Sequence, residues 1–137
     1  MTAPPKWAQD LTLRALEWWE AQGHTAPLVS LSWRHRAGVY SSGIAGLTPN
    51  GVLVRGGSSR LDQRMVLLHE LAHLLAESIR GGQVWVLDHP PVFWETAWAL
   101  YRWAKLPIRY CLREEGNYRK GAVLAYRRSR KGVKCQP

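Results

Sequence analysis

Apolar residues recur every three or four positions over residues 61–80, which is the periodicity of one face of an α-helix. The residues on this face are Leu61, Met65, Leu68, Ala72, Leu75 and Ile79. Leu67, Leu71 and Leu74 add a second apolar flank. A helix that is apolar around most of its circumference is buried in a protein core. The pattern therefore predicts a buried central helix.

Two other segments are predicted to be helices. Over residues 7–22 an apolar side faces away from a charged side, and Gly23 suits the end of a helix. Another helix is expected to begin at Pro90-Pro91, because proline fits the first helical turn, and to end at Pro107. With the central segment, these patterns predict three helices.

Residues 27–55 have the alternation of apolar and polar positions that is typical of strands. Short segments at residues 27–36, 36–42 and 52–54 are separated by small residues and by the turn signal Pro49-Asn50-Gly51. We therefore expect a small antiparallel sheet of about three strands, in which residues 52–55 form an edge that can pair with an extended peptide.

The C-terminal part of the chain has weaker signals. Residues 108–112 are apolar enough for a final short strand, and residues 121–126 for a strand or a docked segment. Residues 114–117 are predicted to form a loop, and residues 127–137 a solvated tail. The overall prediction is an α+β fold with the small sheet packed on three helices.

Length and composition fit one globular domain. The chain has 137 residues, of which 46% are hydrophobic. We expect a single domain over residues 1–137, with its core at about 7–112 and a basic C-terminal extension at 113–137. We expect no signal peptide, because the residues before the first helix are not an apolar segment, and no membrane span, because no run approaches roughly 18 apolar residues. Cys111 and Cys135 are expected to be free thiols in a reducing cytoplasm, with a disulfide or a second metal site as the alternative.

The charge of the chain is strongly positive and unevenly distributed. The formal net charge is +9, and from Arg113 to Lys134 only Glu114 and Glu115 oppose many lysines and arginines. A polyanion such as nucleic acid is the partner that this pattern suggests. The alternative is a solvated basic tail that aids solubility.

A five-residue motif in the central helix carries the candidate chemistry. His69 and His73 are four residues apart, so a helix places both where they can reach one metal ion. Glu70 can take a proton from a water on that metal. This is the arrangement of zinc metallopeptidases, in which the glutamate is the general base. The pattern also arises by chance on amphipathic helices, but polar groups on a buried helix need partners, and a metal would provide them.

A catalytic zinc usually has three protein ligands, so a further ligand is required. The metzincin pattern is excluded because Ala76 and Ile79 stand where it needs glycine and histidine. His89, just before the proline pair, and Glu95, further into the following helix, are the two candidates, and spacing leaves both open. If His89 is the ligand, Glu95 or Glu77 can orient a ligand histidine.

The motif His69-Glu70-Leu71-Ala72-His73, followed by His89-Pro90-Pro91-Val92-Phe93-Trp94, resembles the SprT-like and WLM metallopeptidases. In that family a helix carries the HExxH motif, and a third histidine opens the next helix. The resemblance covers roughly residues 28–106. It implies a minimal zincin-like core, with His69, His73 and His89 as zinc ligands and Glu70 as the catalytic base. Pro90 departs from the usual glycine, and two cysteines cannot form the zinc ribbon of some members.

The predicted function is a zinc-dependent endopeptidase that acts on a peptide or protein substrate near nucleic acid. The alternative is a zinc-stabilised, non-catalytic protein that binds nucleic acid or another partner. An oxyanion-stabilising donor is also required. The candidates for this donor are Tyr40, Tyr101, Arg109 and Tyr110.

Overall fold

A computed structural model describes residues 3–34, 43–45, 51–55, 58–79, 89–116 and 120–132. These residues form five helices and three strands. In chain order the elements are α1 (Lys6–Ala21), β1 (Ser30–Arg34), β2 (Gly43–Ala45), β3 (Gly51–Arg55), α2 (Arg60–Ile79), α3 (Pro91–Trp103), α4 (Ile108–Gly116) and α5 (Lys120–Gly132). The α+β prediction is confirmed, but the described residues contain five helices and not three.

The three strands form one mixed sheet in the order β1-β3-β2. β3 pairs parallel with β1, where Ser30 lies opposite Gly51, and antiparallel with β2, where Gly43 lies opposite Val54. The prediction of a fully antiparallel sheet is therefore wrong for the β1–β3 pair. Alternation of side chains predicts a strand but not its direction, which depends on how the connections cross the sheet. The strand predicted at residues 36–42 lies outside the described residues.

β3 is the central strand, so it cannot be the free edge that was predicted for residues 52–55. Its residues Gly51, Val52, Leu53 and Val54 are buried. The sheet packs against the central helix, because β2 and β3 both contact α2. Among the strand residues whose burial is described, the apolar run of β3 therefore contributes most to the core.

Helix α2 lies at the centre of the structure. It begins after Ser59, whose side-chain oxygen accepts a hydrogen bond of 3.1 Å from the backbone N–H of Asp62. Asp62 lies in the first turn, where its charge suits the helix dipole. The helix contacts α1 and α3 as well as the sheet. Most residues from Met65 to Ala76 are consequently buried, as the apolar pattern predicted.

Helices α1 and α3 pack against α2. α1 buries Leu11, Ala15 and Trp19 on one face, and Gly23, whose φ is 93°, follows its end. α3 begins at the proline pair and buries a series of large side chains. These are Phe93, Trp94, Trp98, Leu100 and Tyr101. The bounds of α1 lie within one residue of those predicted. α3 begins at the predicted proline pair but ends at Trp103, before the predicted stop at Pro107.

The C-terminal part is helical, which corrects several predictions. The strand expected at residues 108–112 and the loop at 114–117 are wrong for the residues that α4 occupies, and the segment at 121–126 belongs to α5. α4 buries Cys111 and Glu115, which are one helical turn apart. α5 packs on α3, where the indole N–H of Trp98 donates to the carbonyl of Ala122 at 3.1 Å. Residues 127–132, predicted to be a solvated tail, form the end of this helix.

Two further findings concern membrane-spanning helices and the cysteines. In the part of the chain that the structure describes, no helix combines the length and the apolar character that crossing a membrane would require. Cys111 is a buried free thiol, and burial, followed by the charge of Glu115, raises its pKa to about 12. Cys135 lies outside the described residues.

Lys105, the second residue after α3, provides a test of the helix end. Its φ is 59°, in the left-handed region that favours glycine. We expect Lys105→Gly to increase the free energy of unfolding by about 0.5–1 kcal/mol, because relief of left-handed strain exceeds the added entropy of the unfolded chain.

Urea denaturation of Lys105→Gly, Lys105→Ala and the wild type measures this difference. Alanine removes the same charge but keeps the backbone strain, so Lys105→Ala should match the wild type. Equal stabilisation by both substitutions would show that the charge, and not the backbone, is responsible.

Candidate metal centre

Three histidine side chains meet where α2 approaches the start of α3. His69 and His73 lie one turn apart on α2, and His89 lies two residues before α3. One ligand atom from each ring lies within 4.8 Å of the others, a spacing that can hold a metal ion. The Nε2 atoms of His69 and His89 are 3.3 Å apart. The structure therefore brings together the three histidines that the motif and the resemblance indicated.

Aromatic rings from the first turn of α3 form one wall of this cluster. The ring of Phe93 stacks on His73, with 4.2 Å between centroids and 29° between planes. Trp94 stacks on His89 at 5.4 Å and 24°. Both aromatic side chains are almost fully buried. They restrict the orientations of the imidazole rings and exclude water from one side of the site.

The donor set fits a divalent metal such as zinc, for which neutral imidazole is a common ligand. The pKa of His73 is lowered to about 2 by burial, and then by His69 and His89. Its ring is therefore neutral at physiological pH, as a metal ligand must be. The Nδ1 atom of His73 is also buried without a hydrogen-bond partner, and such an atom costs free energy unless a ligand or water satisfies it.

Glu70 lies beside the first histidine and is 7% exposed. Burial raises the pKa of its carboxyl group; the electrostatic interaction with His69 opposes this shift, and that with Glu115 adds to it. A carboxylate with a raised pKa is a better proton acceptor near neutral pH than an exposed one. Glu70 is thus a buried carboxyl group next to His69 in sequence, with a pKa raised by its surroundings.

Glu115 is a site residue that the sequence did not reveal. Its carboxylate is 1% exposed. One of its oxygens, Oε2, lies 2.6 Å from Nδ1 of His69 and accepts a 2.6 Å hydrogen bond from the hydroxyl of Tyr101. Burial, and then Glu115, raises the pKa of Tyr101 well above its ordinary value, so its hydroxyl remains a donor. In the sequence, Cys111 one helical turn before Glu115 is a local signal for a buried face, but only once this segment is taken as a helix.

The alternative ligand and the alternative orienting acids do not join the cluster. Glu95 is exposed on α3 and is not part of the three-histidine group. Glu77 is half-buried, one turn beyond His73, near the end of α2. The carboxylate that contacts a cluster histidine comes instead from α4, far along the sequence.

The structure places the candidate oxyanion-stabilising residues at separate positions. Tyr101 lies on the Nδ1 side of His69 and donates to Glu115. Tyr110 donates to Asp62 at the start of α2, at 2.9 Å. Arg109 is exposed on α4, and Tyr40 lies outside the described residues. Neither tyrosine hydroxyl is therefore directed at the cluster of ligand atoms.

Comparison with protein-family models, with curated proteins and with solved structures finds no match in any of the three. The functional assignment of this chain therefore depends on the residues of the site itself.

The low pKa of His73 predicts how the metal-free protein responds to acid. Between pH 6.5, the ordinary value of the group, and about 2, its value in the fold, the unfolded chain binds more protons at His73 than the folded chain does. The stability of the folded state should therefore fall as the pH is lowered through this window.

Urea midpoints of chelator-treated protein at several pH values measure the effect. His73→Gln removes this titration and leaves the other ionisable groups, so its midpoint should fall less steeply with acid than that of the wild type. Identical slopes for the two proteins would contradict the prediction.

Proposed function

We propose that this protein is a zinc-dependent endopeptidase with a minimal zincin-like core of the SprT-like type. The observation that carries the proposal is the juxtaposition of His69, His73 and His89, with ligand atoms within 4.8 Å, beside the buried carboxyl group of Glu70. A helical HExxH motif with a third histidine at the start of the next helix supports the same class.

Within this proposal the three histidines hold the metal through neutral imidazole nitrogens. When bound, zinc supplies a Lewis acid for the scissile carbonyl and the attacking water. Glu70 accepts a proton from that water and later donates it to the leaving amine, which its raised pKa favours. Phe93 and Trp94 keep the imidazoles in place and exclude bulk water from one side.

The proposed substrate is an extended peptide segment of a protein. Since β3 is central, the free edges of the described sheet belong to β1 and β2. β2 contacts α2, which carries two of the histidines, whereas β3 separates β1 from β2 in the sheet. Backbone hydrogen bonds to β2 are therefore the better means of aligning a peptide with the site.

Glu70→Gln tests the proposed reaction. We expect this variant to bind zinc as the wild type does but to cleave about 10²–10⁴ times more slowly, because the amide cannot accept the proton. Cleavage of casein and of quenched fluorescent peptides, with and without chelator, provides the assay.

Glu77→Gln is the matched control, since it makes the same change two turns further along α2. It should retain activity. A wild-type rate in Glu70→Gln, or cleavage that persists after the metal has been removed, would contradict the proposed mechanism.

A second candidate function is a zinc-stabilised protein that binds nucleic acid without catalysis. The observation that favours it is the exposure of arginines on the two packed C-terminal helices, Arg109 and Arg113 on α4 and Arg127 and Arg128 on α5. Arginines contact phosphates favourably, and the net charge of +9 would attract a polyanion. The Glu70→Gln variant separates the two candidates, because it should not impair such binding.

Salt titrations test the nucleic-acid surface. If Arg127 and Arg128 contact phosphates, replacing both by glutamine should weaken binding of a fluorescent DNA duplex at low salt. The slope of log affinity against log salt should become shallower by roughly two, about one per lost contact.

Replacement of Lys6 and Arg14 by glutamine is the control, because both side chains are exposed on α1 and the change in net charge is the same. If both double variants weaken DNA binding equally, the DNA is attracted by the overall charge of the protein and does not bind specifically to the C-terminal helices.

A further inference from the structure

Glu115 is an unusual group to find in the core of this protein. Its carboxylate is 1% exposed, and it belongs to a short helix that otherwise presents mainly polar residues to solvent. A buried carboxylate persists when it is paired and hydrogen-bonded. Both of its described hydrogen-bond contacts, with Tyr101 and with Nδ1 of His69, are short, at 2.6 Å.

The position of Glu115 determines which nitrogen of His69 faces the other histidines. Nδ1 lies against the carboxylate, whereas Nε2 lies 3.3 Å from Nε2 of His89. A carboxylate partner keeps a proton on Nδ1, so Nε2 is left with its lone pair directed into the cluster. The hydroxyl of Tyr101 fixes the same carboxylate oxygen from α3.

We propose that Glu115 and Tyr101 are a positioning pair that holds His69 with its Nε2 atom ready to bind the metal. The inference rests on the proposed metal centre and deepens it. It makes α4 a part of the site, because α4 supplies a carboxylate that contacts a cluster histidine at hydrogen-bonding distance. The negative charge of Glu115 also partly offsets the charge of a bound divalent metal.

The pair is distinguishable from a merely structural contact in the core. If the pair is merely structural, its removal should lower the free energy of unfolding but leave the metal affinity of the folded protein unchanged. A positioning role predicts a loss of affinity, because the ring of His69 can then rotate or carry its proton on Nε2. Removal of such partners typically costs 10–100-fold in metal affinity.

Competition with a chromophoric zinc chelator measures the affinity of the full-length protein. We expect Glu115→Gln to bind zinc about 10–100 times more weakly than the wild type, and Tyr101→Phe to lose less, since the carboxylate remains. Glu114→Gln is the matched control, because it removes the same charge from the neighbouring position, about 100° around α4. It should bind zinc as the wild type does.

Nuclear magnetic resonance of ¹⁵N-labelled histidine tests the geometry without relying on affinity. In the metal-free wild type, the Nδ1 proton of His69 should appear far downfield, as expected for a hydrogen bond to a carboxylate. It should move upfield in Glu115→Gln and stay in place in Glu114→Gln. This measurement on the wild type needs no variant to fold.

The outcomes separate the inference from the proposed function. Wild-type affinity in Glu115→Gln, or a metal-free wild type in which His69 carries its proton on Nε2, would overturn the positioning pair while leaving the metal centre intact. A wild type that binds no zinc but shows the downfield Nδ1 proton would overturn the proposed function and support the contact of Glu115 with His69.

Discussion

The burial of ionisable groups along α2 is the constraint on which the arrangement of the other elements depends. Glu70 and His73 lie on a helix that contacts α1, α3 and the sheet, so water cannot satisfy them freely. Polar groups in a core cost free energy unless they have partners. α3 brings Phe93 against the imidazoles, and α4 brings Glu115 to His69. The packing of α3 and α4 therefore determines the surroundings of the ionisable groups on α2.

The sequence predicted the strongly periodic helices well, because their apolar faces are long and their ends carry clear signals. Helix α2 and the start of α3 at the proline pair are examples. Helices α4 and α5 were not predicted, since few of their residues are apolar and buried, and these residues pack on each other's helix and on α3. Alternation likewise predicted the strands β1 and β3 but not their parallel pairing, which depends on long-range order.

The same distinction between local and long-range determinants applies to the residues of the site. His69, His73 and His89 could be found because local spacing and the start of a helix determine where they lie. Glu115 could not, because its contact with His69 spans 46 positions in sequence and depends on how α4 folds back onto α2. The acids suggested instead, Glu77 and Glu95, were chosen for their proximity in sequence. Partners that orient a ligand are set by tertiary packing, which leaves no short motif.

Elemental analysis of zinc per chain is the most direct test of the central claim that the three histidines form a metal site. Protein purified without added metal should contain about one zinc per chain. His89→Ala should lose most of it, whereas His24→Ala should keep it, because His24 is exposed and stacks on Trp19. A wild type without zinc, even after reconstitution, or equal zinc in His89→Ala and the wild type, would contradict the account.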